Sequence, residues 1–372
     1  MATLLNAVYH LNFVRKKPKI MARIAKDYFY VRALGRNRLR TVDFAITYRC
    51  NSRCVMCSAK RLMENPSNAG KEEVSSEEVV RLWRQAARLG AIHINLTGGE
   101  PTTRKPDDIA SMIEGINRTA ALSSMVTNCL ALKKADLERY AAAGLDTLSM
   151  SLESMDPEVH DRIRRSPGNF RRFMEVFGWA KELGLNICVS MCISAENFDE
   201  ARRIIDFGGK NGVFVLLNLL SPTGANAGND RLSVRNREEE FRKLLKIPHV
   251  RTDFIFNFRG GSGCPGGVEK VYITPFGEVL TCPHVQVSYG NIRAEPLARI
   301  YERISGFPLL KDFERKGCRY VFSPDYVRRI MEPTYSTPEL PVSIFDHPVS
   351  KEPAVSAYLA RHRLHEKAAQ PG

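Results

Sequence analysis

The chain is predicted to be an α/β protein built on a parallel sheet that curves into an open, six-unit version of the (βα)8 barrel, followed by a smaller C-terminal region. Three observations predict this. Six short apolar segments between residues 42 and 220 each precede a helix-like stretch, the last excepted, and such alternation implies parallel strands. Residues suited to chemistry fall just after these segments, where parallel βα folds collect their sites. With 372 residues, 44% hydrophobic and 26% charged, the chain can bury a full core and a satellite. A flat doubly wound sheet is the rival architecture.

The elements follow in order. Val42–Thr47 reads as a strand ending in a loop with three cysteines. Ser75 and Glu78 form a capping box ahead of the stripe Val79, Leu82, Trp83, Ala86 and Leu89. Ile92, Ile94 and Leu96 alternate as a second strand running into Thr97-Gly98-Gly99-Glu100. Helices are predicted over 107–117 and 134–143, strands over Leu122–Thr127 and Asp146–Leu152, and one long helical region over about 156–183. Strand Asn186–Ile193, a helix near 197–210 and strand Val213–Leu220 complete the six. A hairpin is predicted around Pro275-Phe276-Gly277, with a helix from about Pro296. Pro333, Pro338, Pro341, Pro348 and Pro353 beyond Pro324 exclude a continuous helix or central strand there, so that tail is expected to wrap the surface or cover the site, with a last helix near Val355–Lys367. The division expected is 1–41, a basic amphipathic segment; 42–225, the barrel; 226–323, a second cysteine region; and 324–372, the tail.

The net charge of +14 is concentrated near the start: Arg15, Lys16, Lys17, Lys19, Arg23, Lys26, Arg32, Arg36, Arg38 and Arg40 face the single acid Asp27. Ile20, Met21, Ile24, Tyr28 and Val31 recur at helical spacing among them. Two readings stand, a helix packed on the barrel with its basic face in water, and a helix lying on an anionic membrane surface. No apolar run is long enough to span a membrane, and Met1–Leu5 lacks the basic start of a signal peptide. An odd count of nine unevenly spaced cysteines argues against a secreted disulfide framework. The expected location is cytoplasmic, with a peripheral position at the inner membrane surface as the variant; no nucleic-acid partner is predicted.

Cys50, Cys54 and Cys57, at Cys-x3-Cys-x2-Cys, suit an iron–sulfur cluster with one iron free of protein ligands. Zinc is the alternative, but no histidine lies between residues 11 and 92 to supply a fourth ligand. Gly98-Gly99 offers backbone that a ligand can approach closely, and Glu100 a carboxylate for an amine.

Together these residues resemble the radical S-adenosylmethionine superfamily, and Thr127-Asn128 and Ser151-Leu152-Glu153 resemble the ribose-contacting segments of its SPASM/twitch branch. The resemblance implies a TIM-type partial barrel and a [4Fe–4S] cluster on Cys50, Cys54 and Cys57 whose open iron chelates S-adenosylmethionine. It implies a 5′-deoxyadenosyl radical that removes hydrogen from substrate, and an electron donor such as flavodoxin or ferredoxin. The cofactor would be held by Gly98, Gly99 and Glu100 at the methionine amine, Thr127 and Ser151 at the ribose, and Met56 where an aromatic residue commonly packs on the adenine. Cys129 stands where glycine is frequent, and Glu153 where aspartate is.

Cys264 and Cys282, in Cys-x12-Gly-x4-Cys, resemble the start of a SPASM or twitch domain, with Cys318 as a third ligand to an auxiliary iron–sulfur cluster. The second cysteine usual after that position is absent, which leaves an open iron or a ligand such as His284. Buried thiols without metal are the alternative. Cys192 and Cys129 are candidate hydrogen-atom donors to a substrate radical, with core packing as the plainer role; Cys188, Ser190 and Cys192 share one strand face. His93 is expected to be structural and His160 to lie on a helix surface. The expected substrate is a small polar metabolite of sugar or cyclitol type, oxidised or epimerised. Lipid-linked and peptide substrates remain open, as does an electron-transfer protein without radical chemistry.

Overall fold

In a computed structural model, residues 17–229, 231–252, 263–312 and 317–367 are described. The expectations for Met1–Leu5, Arg15 and Lys16 lie outside them. The strands β1 (Thr41–Thr47), β2 (His93–Gly98), β3 (Leu122–Thr127), β4 (Thr147–Ser151), β5 (Asn186–Ile193) and β6 (Phe214–Leu219) are all parallel and lie in chain order. A doubly wound sheet reverses its strand order at a switch point; this one does not, and the barrel expectation holds. The short β7 (Val250–Arg251) extends one edge beside β6. On the other edge β8 (Lys270–Ile273) pairs in parallel with β1, and β9 (Glu278–Leu280) and β10 (Val287–Asn291) continue antiparallel from it. β11 (Val342–Ser343) ends the sheet. The expected hairpin thus forms, and it prolongs the barrel wall through β1.

Helices pack outside, and the periodicity explains why. Along β5 burial alternates strictly: Ile187, Val189, Met191 and Ile193 join the main core, while Asn186, Cys188, Ser190 and Cys192 stay half-buried on the other face. The helix α2 (Ser76–Arg88) buries Val79, Leu82, Trp83 and Ala86, and its capping box forms in both directions, Glu78 N–H to Ser75 Oγ at 3.2 Å and Ser75 N–H to Glu78 Oε2 at 2.9 Å. Burying its three large apolar side chains contributes about 1.5–3 kcal/mol each.

α3 (Pro106–Asn117), α4 (Lys134–Ala142) and α7 (Ala201–Asn211) match expectation closely. The long helical region is instead two helices, α5 (Pro157–Arg164) and α6 (Asn169–Glu182). Arg165 takes φ +50° and Gly168 φ +79° around Pro167, so the backbone cannot continue helically.

The helix α1 (Pro18–Leu34) closes the N-terminal end of the barrel. Lys17 Nζ reaches Asp146 Oδ2 at 2.5 Å and the Ala121 carbonyl at 2.8 Å, both at the starts of strands. Arg23 donates to the Ala120, Ala87 and Ala91 carbonyls, and Arg38 pairs with the buried Asp27 at 2.8 Å. The expectation of a helix with its cations outward is therefore corrected. Several cations point inward, because carbonyls at the strand starts need donors, and Met21, Tyr28, Phe29 and Leu34 are the large apolar side chains of this helix left exposed. No described helix is long and apolar enough to cross a membrane.

α8 (Leu297–Ser305) and α9 (Pro353–Lys367) form near their expected positions. The tail folds back onto the segment leaving the cysteine loop: Arg61 donates to the Thr334 and Thr337 carbonyls at 2.9 and 2.7 Å, and Asn65 to that of Leu340.

Candidate active site

The cysteine loop leaves the C-terminal end of β1 and is held from several sides. The Gly99 and Glu100 N–H groups donate to the Thr47 and Arg49 carbonyls, each at 2.8 Å. Val55 N–H donates to Ile163 at 3.0 Å, Ala225 N–H to Cys57 at 2.9 Å, and Gln286 Nε2 to Ser58 at 3.2 Å. The glycines serve this clamp. A Cβ on Gly98, whose φ is +144°, would lie 2.1 Å from the Thr47 carbonyl oxygen, and one on Gly224 2.3 Å from that of Cys57. The close approach expected toward a ligand at Gly98-Gly99 is an approach to the chain's own β1 loop.

Cys50, Cys54 and Cys57 are half-buried free thiols. Burial, then the neighbouring Cys54, pushes Cys57 up to about 11; burial also raises Cys50. Among the described residues no three Cys, His, Asp or Glu side chains stand where they could share a single metal ion. Cys50, Cys54 and Cys57 influence one another electrostatically and are therefore gathered on one loop, and an all-thiolate set of three is the donor chemistry of an iron–sulfur cluster with one open iron.

Around the loop runs a chain of mostly buried polar groups. Glu100 accepts from Thr127 Oγ1 at 2.8 Å, Asn128 N–H at 2.7 Å and Thr102 Oγ1 at 2.7 Å. Asn128 donates to Asn51 Oδ1 at 2.8 Å, and its carbonyl accepts from Asn169 Nδ2 at 2.7 Å. Asn169 Oδ1 meets His160 Nε2 at 3.0 Å, and His160 Nδ1 accepts the Glu153 N–H at 3.1 Å. Glu153 in turn accepts Cys192 N–H at 2.9 Å and lies 3.6 Å from Arg164, whose Nη1 approaches Cys54 Sγ at 3.4 Å. His160 is fully buried, which corrects the surface expectation: its two ring nitrogens bridge the loops after β4 and before α6. Arg164 and the bridging role of His160 were missed because i, i+4 spacing on one helix says nothing about loops arriving from other strands.

Burial opposes charge on both His160 and Glu153, with Arg164 as the next influence on each. It lowers His160 to about 4 and raises Glu153 to about 6. The two shifts have opposite consequences for stability. The Glu153 contribution is full below its ordinary 4.5 and is lost as pH rises through about 6; the His160 contribution is present above 6.5 and is lost as pH falls toward 4. Glu153→Gln is therefore expected to steepen the fall in melting temperature on acidification from pH 6.5 to 4.5, and His160→Gln to flatten or reverse it. The Glu153 part is worth on the order of 2 kcal/mol across the window. Identical pH profiles for both variants and the parent would contradict this.

Toward the barrel interior the strands present small polar side chains. His93 bonds Ser124 at 2.9 Å, Ser124 donates to Asn95 at 2.7 Å, and Asp43 pairs with Lys270 at 2.6 Å. Such a lumen is unlike the branched aliphatic layers of a closed barrel. Cys188, Cys192 and Ser151 are half-buried, Cys192 against Met56 and Cys54 in one apolar cluster. Met56 is buried among Ile163, Leu220 and Leu232. The Thr127 hydroxyl is engaged twice, donating to Glu100 and accepting Cys129 N–H at 3.0 Å. Cys129 is corrected as a hydrogen donor, since it is fully buried in the main core. Its φ of +69° is a conformation that glycine adopts freely.

The second cysteine set is also gathered. A bridge between Gly263 and Gly317 brings the chain at Cys264 beside that at Cys318. Burial, then Cys264, pushes Cys282 up to about 12, and burial with Cys264 and Cys282 raises Cys318 further. Arg319 donates to the Gly266 carbonyl at 2.8 Å, bracing the loop after Cys264. His284 packs at a tilt of 47° against Tyr320, 4.4 Å from centroid to centroid, and the Tyr320 hydroxyl reaches the Leu219 carbonyl at 3.3 Å.

An open parallel barrel with three thiols on its first strand-end loop defines an iron–sulfur enzyme scaffold. Residues 44–208 match the Radical SAM superfamily. That region is a domain of the superfamily, and the chain is an enzyme whose cofactors are a [4Fe–4S] cluster and S-adenosylmethionine. It is 28% identical over 316 residues to a PqqA peptide cyclase of Rhizobium meliloti, covering 74% of this chain and 80% of the relative. It is 26% identical over 318 residues to an AdoMet-dependent heme synthase of Methanosarcina barkeri, covering 76% and 89%. Streptococcus suis SuiB bound to precursor peptide SuiA superposes with TM-score 0.58 at 16% identity, over 77% of this chain and 70% of that one, a likeness of fold. The expectation of a small sugar- or cyclitol-like substrate, and of a small molecule as the partner, is overturned by the peptide cyclases among these relatives.

Proposed function

We propose that this chain is a peptide-modifying radical S-adenosylmethionine enzyme with a SPASM- or twitch-type auxiliary cluster. The single observation that carries the substrate class is the likeness to PqqA peptide cyclases over three quarters of the chain. Cys50, Cys54 and Cys57 would hold the first cluster, and Cys264, Cys282 and Cys318 the second. When bound, the first cluster and S-adenosylmethionine supply a 5′-deoxyadenosyl radical that abstracts hydrogen from the substrate.

The chain's own residues do the rest. Arg164 is buried beside Cys54, and its Nε–H has no acceptor among the described residues; it suits a carboxylate brought to the open iron. Glu153 keeps that guanidinium in place, and Ser151 at the half-open end of β4 can bond a ribose hydroxyl. Glu100 braces the β2 and β3 ends around the Gly98-Gly99 backbone. The Cys192 thiol, held protonated by burial and then by Glu153, sits where it could return a hydrogen atom.

The test is anaerobic reconstitution with a reductant, S-adenosylmethionine and short peptides encoded beside the gene, read by mass spectrometry. Peptide-dependent 5′-deoxyadenosine with loss of two hydrogens from the peptide supports oxidation or cross-linking. Unchanged mass with deuterium uptake from D2O, abolished in Cys192→Ala, supports epimerisation. A peptide set that neither changes nor stimulates cofactor cleavage sinks the proposal.

A further inference from the structure

We infer that an arginine-rimmed cleft beside the cysteine loop binds an acidic stretch of the peptide substrate. This deepens the peptide reading above and rests on it. The cleft measures about 780 Å³, within the ~300–1,000 Å³ typical of ligand sites. Its apolar lining includes Val55, Ile163 and Leu232, and its cations are Arg162, Arg165 and Arg231. Val55 lies between Cys54 and Met56, so whatever fills the cleft rests against the loop proposed to carry the cluster. Asn226 Nδ2 fixes the Val55 carbonyl at 3.1 Å and Ile163 accepts the Val55 N–H at 3.0 Å, so this wall is rigidly placed.

The charge in the cleft is unbalanced. Some exposed arginines elsewhere pair with an acid on their own helix, as in Arg118 with Glu114 and Arg202 with Asp206. Others such as Arg53, Arg84 and Arg88 make no ion pair among the described residues, but none of these lines the cleft. Among the described residues Arg162, Arg165 and Arg231 are exposed and make no side-chain hydrogen bond or ion pair, and Glu196 is the one acid lining the cleft. Three guanidinium groups against one carboxylate leave positive charge for an anionic occupant, and guanidinium is the group best shaped for carboxylates.

Arg165 adds an independent observation. It holds φ +50° where the chain leaves α5, a conformation that costs an arginine and not a glycine. A cation kept at a position that favours glycine points to use of its side chain. An extended peptide carrying two or three Asp or Glu residues would meet the three arginines and lay its adjoining residues along the loop.

The test uses the full chain and three fluorescein-labelled dodecapeptides, an Asp/Glu–Gly repeat, its Asn/Gln amide analogue and a Lys–Gly repeat, measured by anisotropy at low and raised salt. The acidic peptide should bind best and lose affinity with salt. Affinity should fall roughly three-fold for each single arginine-to-alanine variant and at least about ten-fold for the triple variant. Arg165→Gly relieves the backbone while removing the charge, so it should melt no lower than the parent yet bind more weakly, and Arg165→Lys should restore most of the affinity. Equal binding of the amide analogue, tighter binding of a single-stranded oligonucleotide, or indifference of the triple variant would overturn the inference. Modification of a peptide by an enzyme indifferent to these arginines leaves the proposed function standing without it; arginine-dependent binding with no peptide ever modified does the reverse.

Discussion

Replacing Cys50, Cys54 and Cys57 together with alanine is expected to reduce 5′-deoxyadenosine formation to background, a loss of at least ~10³-fold, because residues acting as one unit fail together. The fold should persist. The loop is held by main-chain bonds from β2, α5 and the β6 exit that involve no thiol, among them Ala225 N–H to the Cys57 carbonyl at 2.9 Å. The same variant decides the second site, since Cys264, Cys282 and Cys318 belong to a different part of the chain. Iron and sulfide measured after anaerobic reconstitution should drop but not vanish. Complete loss of iron would refute an auxiliary cluster, and undiminished cofactor cleavage would refute the assignment of the first.

Arg164→Met is expected to be the most destabilising single change near the site. Arg164 is buried with Glu153, and burial disfavours its charge; the surrounding Cys54 and Glu153 outweigh burial and hold the guanidinium protonated. Removing it strands a buried carboxylate, and breaking such a pair costs about 3–5 kcal/mol. With its cation gone, Glu153 should stay protonated to higher pH, so the deficit should deepen as pH rises above about 6. Adding Glu153→Gln should recover part of the loss, a coupling that a double-mutant cycle in denaturant reads directly. A loss below about 1 kcal/mol, or strictly additive effects, would show that the pair carries little of the site.

Membrane attachment through α1, which exposes Met21, Tyr28, Phe29 and Leu34, would hold the cysteine loop on the side away from the bilayer. α1 covers the N-terminal end of the barrel, where Lys17 and Arg23 are spent on Asp146 and on carbonyls, while the cysteine loop opens at the opposite end of the strands. A lipid-linked substrate brought to that helix would arrive at the wrong face.

The sequence by itself determined the succession of six βα units, the capping box at Ser75 and Glu78, and the placement of three cysteines after β1, because these depend on periodicity and spacing within a few residues. It also marked the position of Cys129, whose left-handed backbone is the reason glycine is frequent there. The strand order that separates the barrel from a doubly wound sheet came from the structure. Only the tertiary structure decided that Gly98 and Gly224 serve the loop itself, that His160 is buried, that Cys129 lies out of reach, and that Arg164 completes a chain running from Glu100 to Cys54. Each of these depends on groups brought together from different strand ends, and no local pattern encodes a contact between residues a hundred positions apart. The arginines of the cleft are a last instance: Arg162 lies in the last turn of α5, Arg165 follows that helix and Arg231 follows β6, and only the tertiary fold puts them on one rim.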